Sequence, residues 1–463
     1  MKAQIRAWTT LIETRWQALP WAIRWSTFII VSVLILFARS PGILLNAEFA
    51  NEDGQTFFLG TYFGSPLEVV FRPYAGYLHL VPRLAAYGER AVPIAWAPFV
   101  ANLTSLLIIA AVAAFIASDR LAGVAPRRGF RWLLALTLLL LPAEWEIVGT
   151  ITNTTWLLGL FLAGVLLAGP ARSRLEALAT RASLVLASLS GPFGLLFSPL
   201  FVLRAVRDRT RDAVWSAVCV VVPGLLQMVA LAKTASDRPT PLGEAYSVVN
   251  LLGAFLARVV TEPILGARWT TVCEAICRIM LSTSAWVVIA MTAAWLIIVV
   301  AILATLIRGL SKHVSRWTIF VIAYVSVIVM ALGVFVNPLQ SELSNPYLSQ
   351  RYFLFAGFAV AIIILGGAFS LPKSQRLLKY SVLVLLAIGI VSDFSLREHP
   401  KYDWPATSAC IGGPVPCIVP VFAAPDWSIR WPGVGGTYSQ TPPWPPSQYA
   451  SPSANSPSPS PSL

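Results

Sequence analysis

The chain has 463 residues, of which 57% are hydrophobic and only 12% charged, with a formal net charge of +13. A soluble globular protein carries roughly 25% charged residues, so this composition excludes an ordinary soluble domain and implies a chain that lives among apolar surroundings. The surplus of base does not point to nucleic acid, because Lys and Arg fall in short clusters between apolar runs rather than along one stripe.

The N-terminal segment, residues 1–24, interleaves Arg with Trp and Leu and reads as an amphipathic helix on the inner leaflet. Apolar runs of spanning length follow near 25–45, 94–117, 132–148, 153–169, 213–232, 281–307, 317–336, 353–370 and 380–396. Arg39 and Pro41 stand where a cleavage site would need small residues, so the first run reads as an uncleaved span. Six short segments (1–24, 118–131, 170–181, 204–212, 308–316 and 371–379) hold 21 of the 34 Lys and Arg. Placing all six in the cytoplasm puts the N-terminus inside and the C-terminus outside. The expectation is an all-α, polytopic integral membrane protein of about 9–11 transmembrane helices, in a bacterial inner membrane. Its long exterior first loop would contain interfacial helices.

Residues 182–203 have basic clusters on both sides and Ser190-Gly191-Pro192 at their centre. Pro removes a donor and Gly loosens the chain. Two short helices that dip in and back, or two short crossings, keep both clusters on one side. Exterior loops are expected at 46–93, 233–280 and 337–352. The tail from 397 to 463 is exterior, Pro/Ser-rich and disordered from about 440. Cys410 and Cys417 lie in that tail, where an oxidising compartment permits a disulfide and two free thiols are the alternative. Cys273 and Cys277 have helical spacing but no further ligand nearby, so helix packing is the default there. No P-loop or dinucleotide motif is present.

Chemistry gathers at the exterior end. NEDGQTFF, residues 51–58, sets Glu52 beside Asp53 just past the first span. Asp53-Gly54 is also a turn signal, so solvated carboxylates at a loop corner are the plainer reading. The aromatic, nearly uncharged run that follows suits an interfacial helix. Beyond it come Arg72, Tyr77, His79 and Arg83. Arg72 and Arg83 could bind a phosphate through their donor forks, or pair with Glu68 and Glu89. His79, in an aromatic and aliphatic run, is more simply a packed histidine. Glu146 caps the turn between two runs and could reach the same cavity. Arg351 and Tyr352 stand at the start of a span, where Arg could bind phosphate or anchor at the interface.

A first exterior loop with an acidic pair after span 1, then interfacial helices and many further spans, resembles the GT-C superfamily of membrane glycosyltransferases. The resemblance covers the layout of residues 1–395 and rests on no long motif. It implies a polyprenyl-phosphate-linked sugar as donor and a glycan, lipid-linked saccharide or protein as acceptor. It places the base at Asp53 or Glu52, with the lean to Asp53, and the donor phosphate on Arg351, with Arg72 and Arg83 as further candidates. His79, Tyr77, Tyr352 and Glu146 are candidate substrate contacts. No protein metal ligand set is expected; a divalent metal is allowed but not demanded. A flippase, transporter or polymerase for lipid-linked polysaccharide precursors is the alternative.

Overall fold

The computed structural model describes residues 20–142, 146–234, 256–268, 297–298, 300–310, 314–336, 350–396, 402–421 and 428–439. Eleven helices organise them: α1 (Trp21–Arg39), α2 (Leu80–Arg90), α3 (Ala97–Ala117), α4 (Arg128–Leu140), α5 (Thr154–Leu167), α6 (Arg174–Ser188), α7 (Phe193–Asp208), α8 (Arg211–Lys233), α9 (Arg316–Val336), α10 (Leu354–Ser370) and α11 (Arg376–Ser392). Five apolar stretches, 22–39, 94–117, 211–233, 350–370 and 373–392, are helices long and apolar enough to cross a membrane. The expected runs at 132–148 and 153–169 contain the shorter helices α4 and α5, of 13 and 14 residues. The run at 281–307 lies mostly outside the described residues.

The core is apolar on nearly all sides. α3 and α10 bury Leu106, Ile109, Phe358 and Ile364 against α5 and α7. α8 instead exposes Val214, Trp215, Val218, Val222, Leu225 and Val229. A helix that is apolar on its exposed side needs an apolar surrounding, since water would penalise each such side chain by about 1.5–3 kcal/mol.

The basic segments meet at one end of the bundle. Asp119 forms ion pairs with Arg128, Arg131 and Arg172. Arg120 donates to Gly169 O and Thr180 Oγ1, and Arg204 to Val165 O and Ala168 O. Arg207 lies over the Trp317 ring at 4.1 Å. Ser173 caps α6 by accepting from Glu176 N at 3.1 Å, and the Glu176 carboxylate accepts from Arg172 N; this is the reciprocal pattern of a capping box, shifted by one residue.

The segment at 182–203 is two helices, α6 and α7, broken at 189–192. Gly191 takes φ +140°, outside the range of ordinary L side chains. The break meets the first loop: Leu80 N donates to Leu189 O at 3.0 Å, and Val81 N to Ser190 Oγ at 2.9 Å. The chain therefore runs from the basic end to the opposite end and back.

That opposite end is a folded layer. Its aromatic stretch faces inward, not outward as an interfacial helix would: Phe57, Phe58 and Leu59 are fully buried. Only the short helix Pro66–Val70 and its neighbour Phe71 leave large apolar side chains, Leu67 and Phe71, exposed. The reason is a partner that lies far along the chain. Residues 402–421 and 428–439 form a cap with two antiparallel paired strands, β1 (Cys417–Pro420) and β2 (Ser428–Trp431). Trp404, Val419, Ile429 and Trp431 form one cluster with Phe49, Phe58 and Leu59. Cys410 and Cys417 are disulfide-bonded across the cap.

A second inserted segment lies among the helices. Residues 256–265 make a π-helical turn and a short helix packed on α10 and α11. Gly389 permits the approach, since a Cβ there would lie 2.5 Å from Ile264 O. Asp393 Oδ2 accepts from Ala267 N at 2.6 Å and holds the segment's end.

Candidate active site at the folded end

Asn51 takes φ +45°, and the chain then enters a π-helical turn, Asp53–Phe58. Asp53-Gly54 is thus helical rather than a loop corner. Asp53 is fully buried. Its carboxylate accepts from Ile151 N at 2.9 Å, from Thr152 N at 2.9 Å and from the Thr152 hydroxyl. Burial outweighs these three donors and raises its pKa to about 7, with the neighbouring Glu52 charge adding to the rise. Asp53 therefore ties the first loop to the turn before α5, in a dry place.

Glu52 is only partly buried. Its pKa is also raised, by burial, against the opposing pull of the Arg351 charge. Arg351 sits in a 3-10 turn, Gln350–Phe353, that leads into α10. Its guanidinium pairs with Glu146, its backbone N–H donates to Glu146 Oε2 at 3.2 Å, and it lies 5.0 Å from the Tyr352 ring centre. Its side chain keeps about a third of its surface. Glu146, Arg351 and Tyr352 thus converge, and Glu52 faces them electrostatically. Tyr352 packs edge-on against Trp156 at 5.0 Å, while Asn153 donates to Glu146 O at 2.8 Å. Glu144 lies outside the described residues.

The other candidates are engaged as follows. Arg72 pairs with Glu68 at 2.7 Å and donates to Phe63 O at 2.8 Å. Arg83 is buried, donates to Thr56 O at 2.7 Å and lies over the Phe57 ring at 4.9 Å. Desolvation lowers its pKa to about 10. It does not meet Glu89. His79 is buried, stacked on Tyr77 with ring centres 4.5 Å apart and beside Phe57. Burial and the Arg83 charge push its pKa down to about 3, so it is neutral throughout the physiological range.

Four further residues join the site. Thr152 holds Asp53. Glu89, on α2, is fully buried with neither oxygen hydrogen-bonded; burial and the Asp53 charge push its pKa well up. Gln55 and Tyr438 link the loop to the cap. A lone acid in LVPRLAAYGER was a faint hint of Glu89; nothing marked the other three.

A cleft of about 20 Å³ opens beside Gln350, lined by Leu141, Ile147, Arg258, Glu262 and Phe353 among others. Arg258 is buried, pairs with Glu262 at 3.0 Å and lies 4.8 Å from the Phe353 ring centre. Among the described residues, no group of three or more His, Cys, Asp or Glu could hold a metal ion. No protein-family model matches the chain, and no curated protein matches it.

Proposed function

We propose that the protein is a polytopic membrane glycosyltransferase that takes a sugar from a polyprenyl-phosphate donor at the folded end of the bundle. The observation that carries this reading is the pairing of Arg351 with Glu146 at the start of an apolar helix, with the Glu52 charge acting on Arg351 from a distant part of the chain. A carboxylate and a fixed cation in one place suit a phosphate leaving group. The folded end faces the exterior and the basic end the cytoplasm, in keeping with the clustering of Arg. The membrane is the bacterial inner membrane.

The two acids take different roles. Glu52, partly exposed and raised in pKa, is the base: it takes the proton of the acceptor hydroxyl. That oxygen attacks the anomeric carbon from the side opposite the phosphate. The bond from anomeric carbon to phosphate oxygen breaks, the electron pair leaves with the phosphate, and the configuration inverts. Arg351 holds the departing phosphate once Glu146 has yielded it. Tyr352 offers a ring face for the sugar. Asp53, sealed behind Glu52, holds the turn in place. A metal is not required for these steps.

A second reading, a flippase or transporter for lipid-linked precursors, draws on Arg258 and Glu262, because ionisable residues among helices mark substrate paths. The discriminating experiment is turnover of a panel of polyprenyl-phosphate sugars with a crude membrane acceptor fraction. Glu52→Gln that folds but loses turnover, with Asp53→Asn less affected, supports the transferase. Binding of donor without consumption in the wild type, abolished by Arg258→Gln, supports transport.

A further inference from the structure

The cap, residues 402–421 and 428–439, touches the first loop from Glu48 to Phe63, and one group of its contacts falls on the turn that bears the two acids. Ile429 of β2 lies so close to Gly54 that a Cβ there would stand 2.7 Å from Ile429 Cδ1. Gln55 Oε1 accepts from Arg430 N at 2.7 Å, and Gln55 Nε2 donates to Ser439 O at 2.8 Å. The Tyr438 hydroxyl lies 3.1 Å from Gln55 O and 3.2 Å from Thr56 O. A Cβ on Gly60 would come within 3.0 Å of the same hydroxyl. Phe63 stacks on the Tyr438 ring, with centres 4.8 Å apart and planes 3° from parallel.

Those at Gly54, Gln55 and Thr56 form one group among them. They engage successive backbone positions 54, 55 and 56, immediately after Glu52 and Asp53. A π-helical turn is an uncommon, locally unfavourable conformation that persists where surroundings impose it. Here Thr152 and Ile151 hold it at Asp53, and the cap holds the next three residues from the opposite side.

We infer that the C-terminal cap is a positioning element for the proposed base, with Ile429 and Tyr438 as positioning residues that fix the 52–56 turn. This inference rests on the transferase reading for its kinetic consequence, but its structural half stands apart from it. A base displaced by about 1 Å loses a large part of its rate, up to about a hundredfold. A loosened cap also admits water to the turn, which lowers a carboxyl pKa that burial has raised. The charged and titratable groups around the turn include Glu52 and Asp53 on it, Glu89 and Arg83 on α2, Tyr74, Tyr77 and His79 in the loop, Glu146 and Arg351 across the site, and Tyr438 on the cap. Of these, the cap contributes only a phenol, so its loss changes hydration rather than charge.

The test uses the full chain in detergent or nanodiscs, with Gly54→Ala, Ile429→Ala, their double variant and Tyr438→Phe. Two readouts are taken: kcat, KM and the pH profile with a polyprenyl-phosphate sugar, and amide hydrogen exchange at residues 53–58. Gly54→Ala is expected to lower kcat about tenfold with KM nearly constant. Ile429→Ala is expected to restore most of that loss in the double variant by removing the colliding atoms. Alone, Ile429→Ala and Tyr438→Phe should speed exchange at 53–58 and move the acid limb of the pH profile downward. If the double variant is no better than Gly54→Ala, and the single cap variants exchange at 53–58 like the wild type, the inference is overturned. If the wild type consumes no donor, the transferase reading falls, and the exchange data alone decide the cap's role: rescue of exchange in the double variant upholds it, and no rescue overturns it.

Discussion

Thr152 donates its backbone N–H to Asp53 Oδ1 at 2.9 Å across 99 positions of chain, and its hydroxyl reaches the same oxygen. One residue thus supplies two of the three donors that keep a buried carboxylate in place. Thr152→Val removes the hydroxyl and leaves the N–H. A hydrogen bond to a charged group contributes about 1.5–3 kcal/mol. The Asp53 pKa should therefore rise by about one unit or more. Thermal stability at pH 8 should fall by a similar energy, and an unchanged melting temperature at that pH would dismiss Asp53 as the anchor.

Asp53 also predicts how stability varies with pH. Its folded pKa, about 7, lies above the ordinary carboxyl value of 3.8. A raised pKa means that the folded state binds the proton more tightly than the unfolded one. Its contribution is full below about pH 4 and is lost as pH rises through about 7. Glu52 and Glu89 act in the same direction. Asp53→Asn, neutral at every pH, should flatten the fall in melting temperature between pH 5 and pH 8. A variant with the wild-type slope would place the titration elsewhere.

Glu146 occupies Arg351, so any phosphate that binds this guanidinium as proposed must displace it. Glu146→Gln keeps the shape and removes the competing charge. Binding of farnesyl phosphate, used as a short probe, should tighten about tenfold, as expected when an ion-paired competitor is lost. Arg351→Gln should abolish that binding. Equal affinity in wild type and Glu146→Gln would mean that the phosphate sits on another cation.

His79 is packed and uncharged. His79→Phe should leave the acid limb of any rate profile where the wild type has it, because His79 does not titrate in that range. Its cost should appear as lost stability of about 1 kcal/mol, the usual scale for a core change of similar volume. A limb that moves with this substitution would return His79 to the catalytic list.

Much of the architecture was legible. Unbroken apolar runs and Arg clusters are one-dimensional signals, and α1, α3, α8, α10 and α11 follow them. The break at Ser190-Gly191-Pro192 was legible because Gly and Pro act on the backbone itself. The direction in which Phe57 and Phe58 face was not. An aromatic run suits lipid and protein equally, and only Trp404 and Ile429, far along the chain, decide between them. The site shows the same limit. Glu52 and Asp53 stand out as a pair, but their different surroundings depend on Thr152 and Arg351, whose local sequences carry no mark of it. Arg83 had the right chemistry for phosphate, yet the backbone carbonyl of Thr56 engages it.

The bonds from Gln55 to Arg430 and Ser439 span up to 384 positions. They impose an order on biosynthesis. The acidic pair leaves the ribosome early, whereas its backing emerges only after the intervening helices have been made. Every translation intermediate shorter than residue 439 therefore carries the two acids without that clasp.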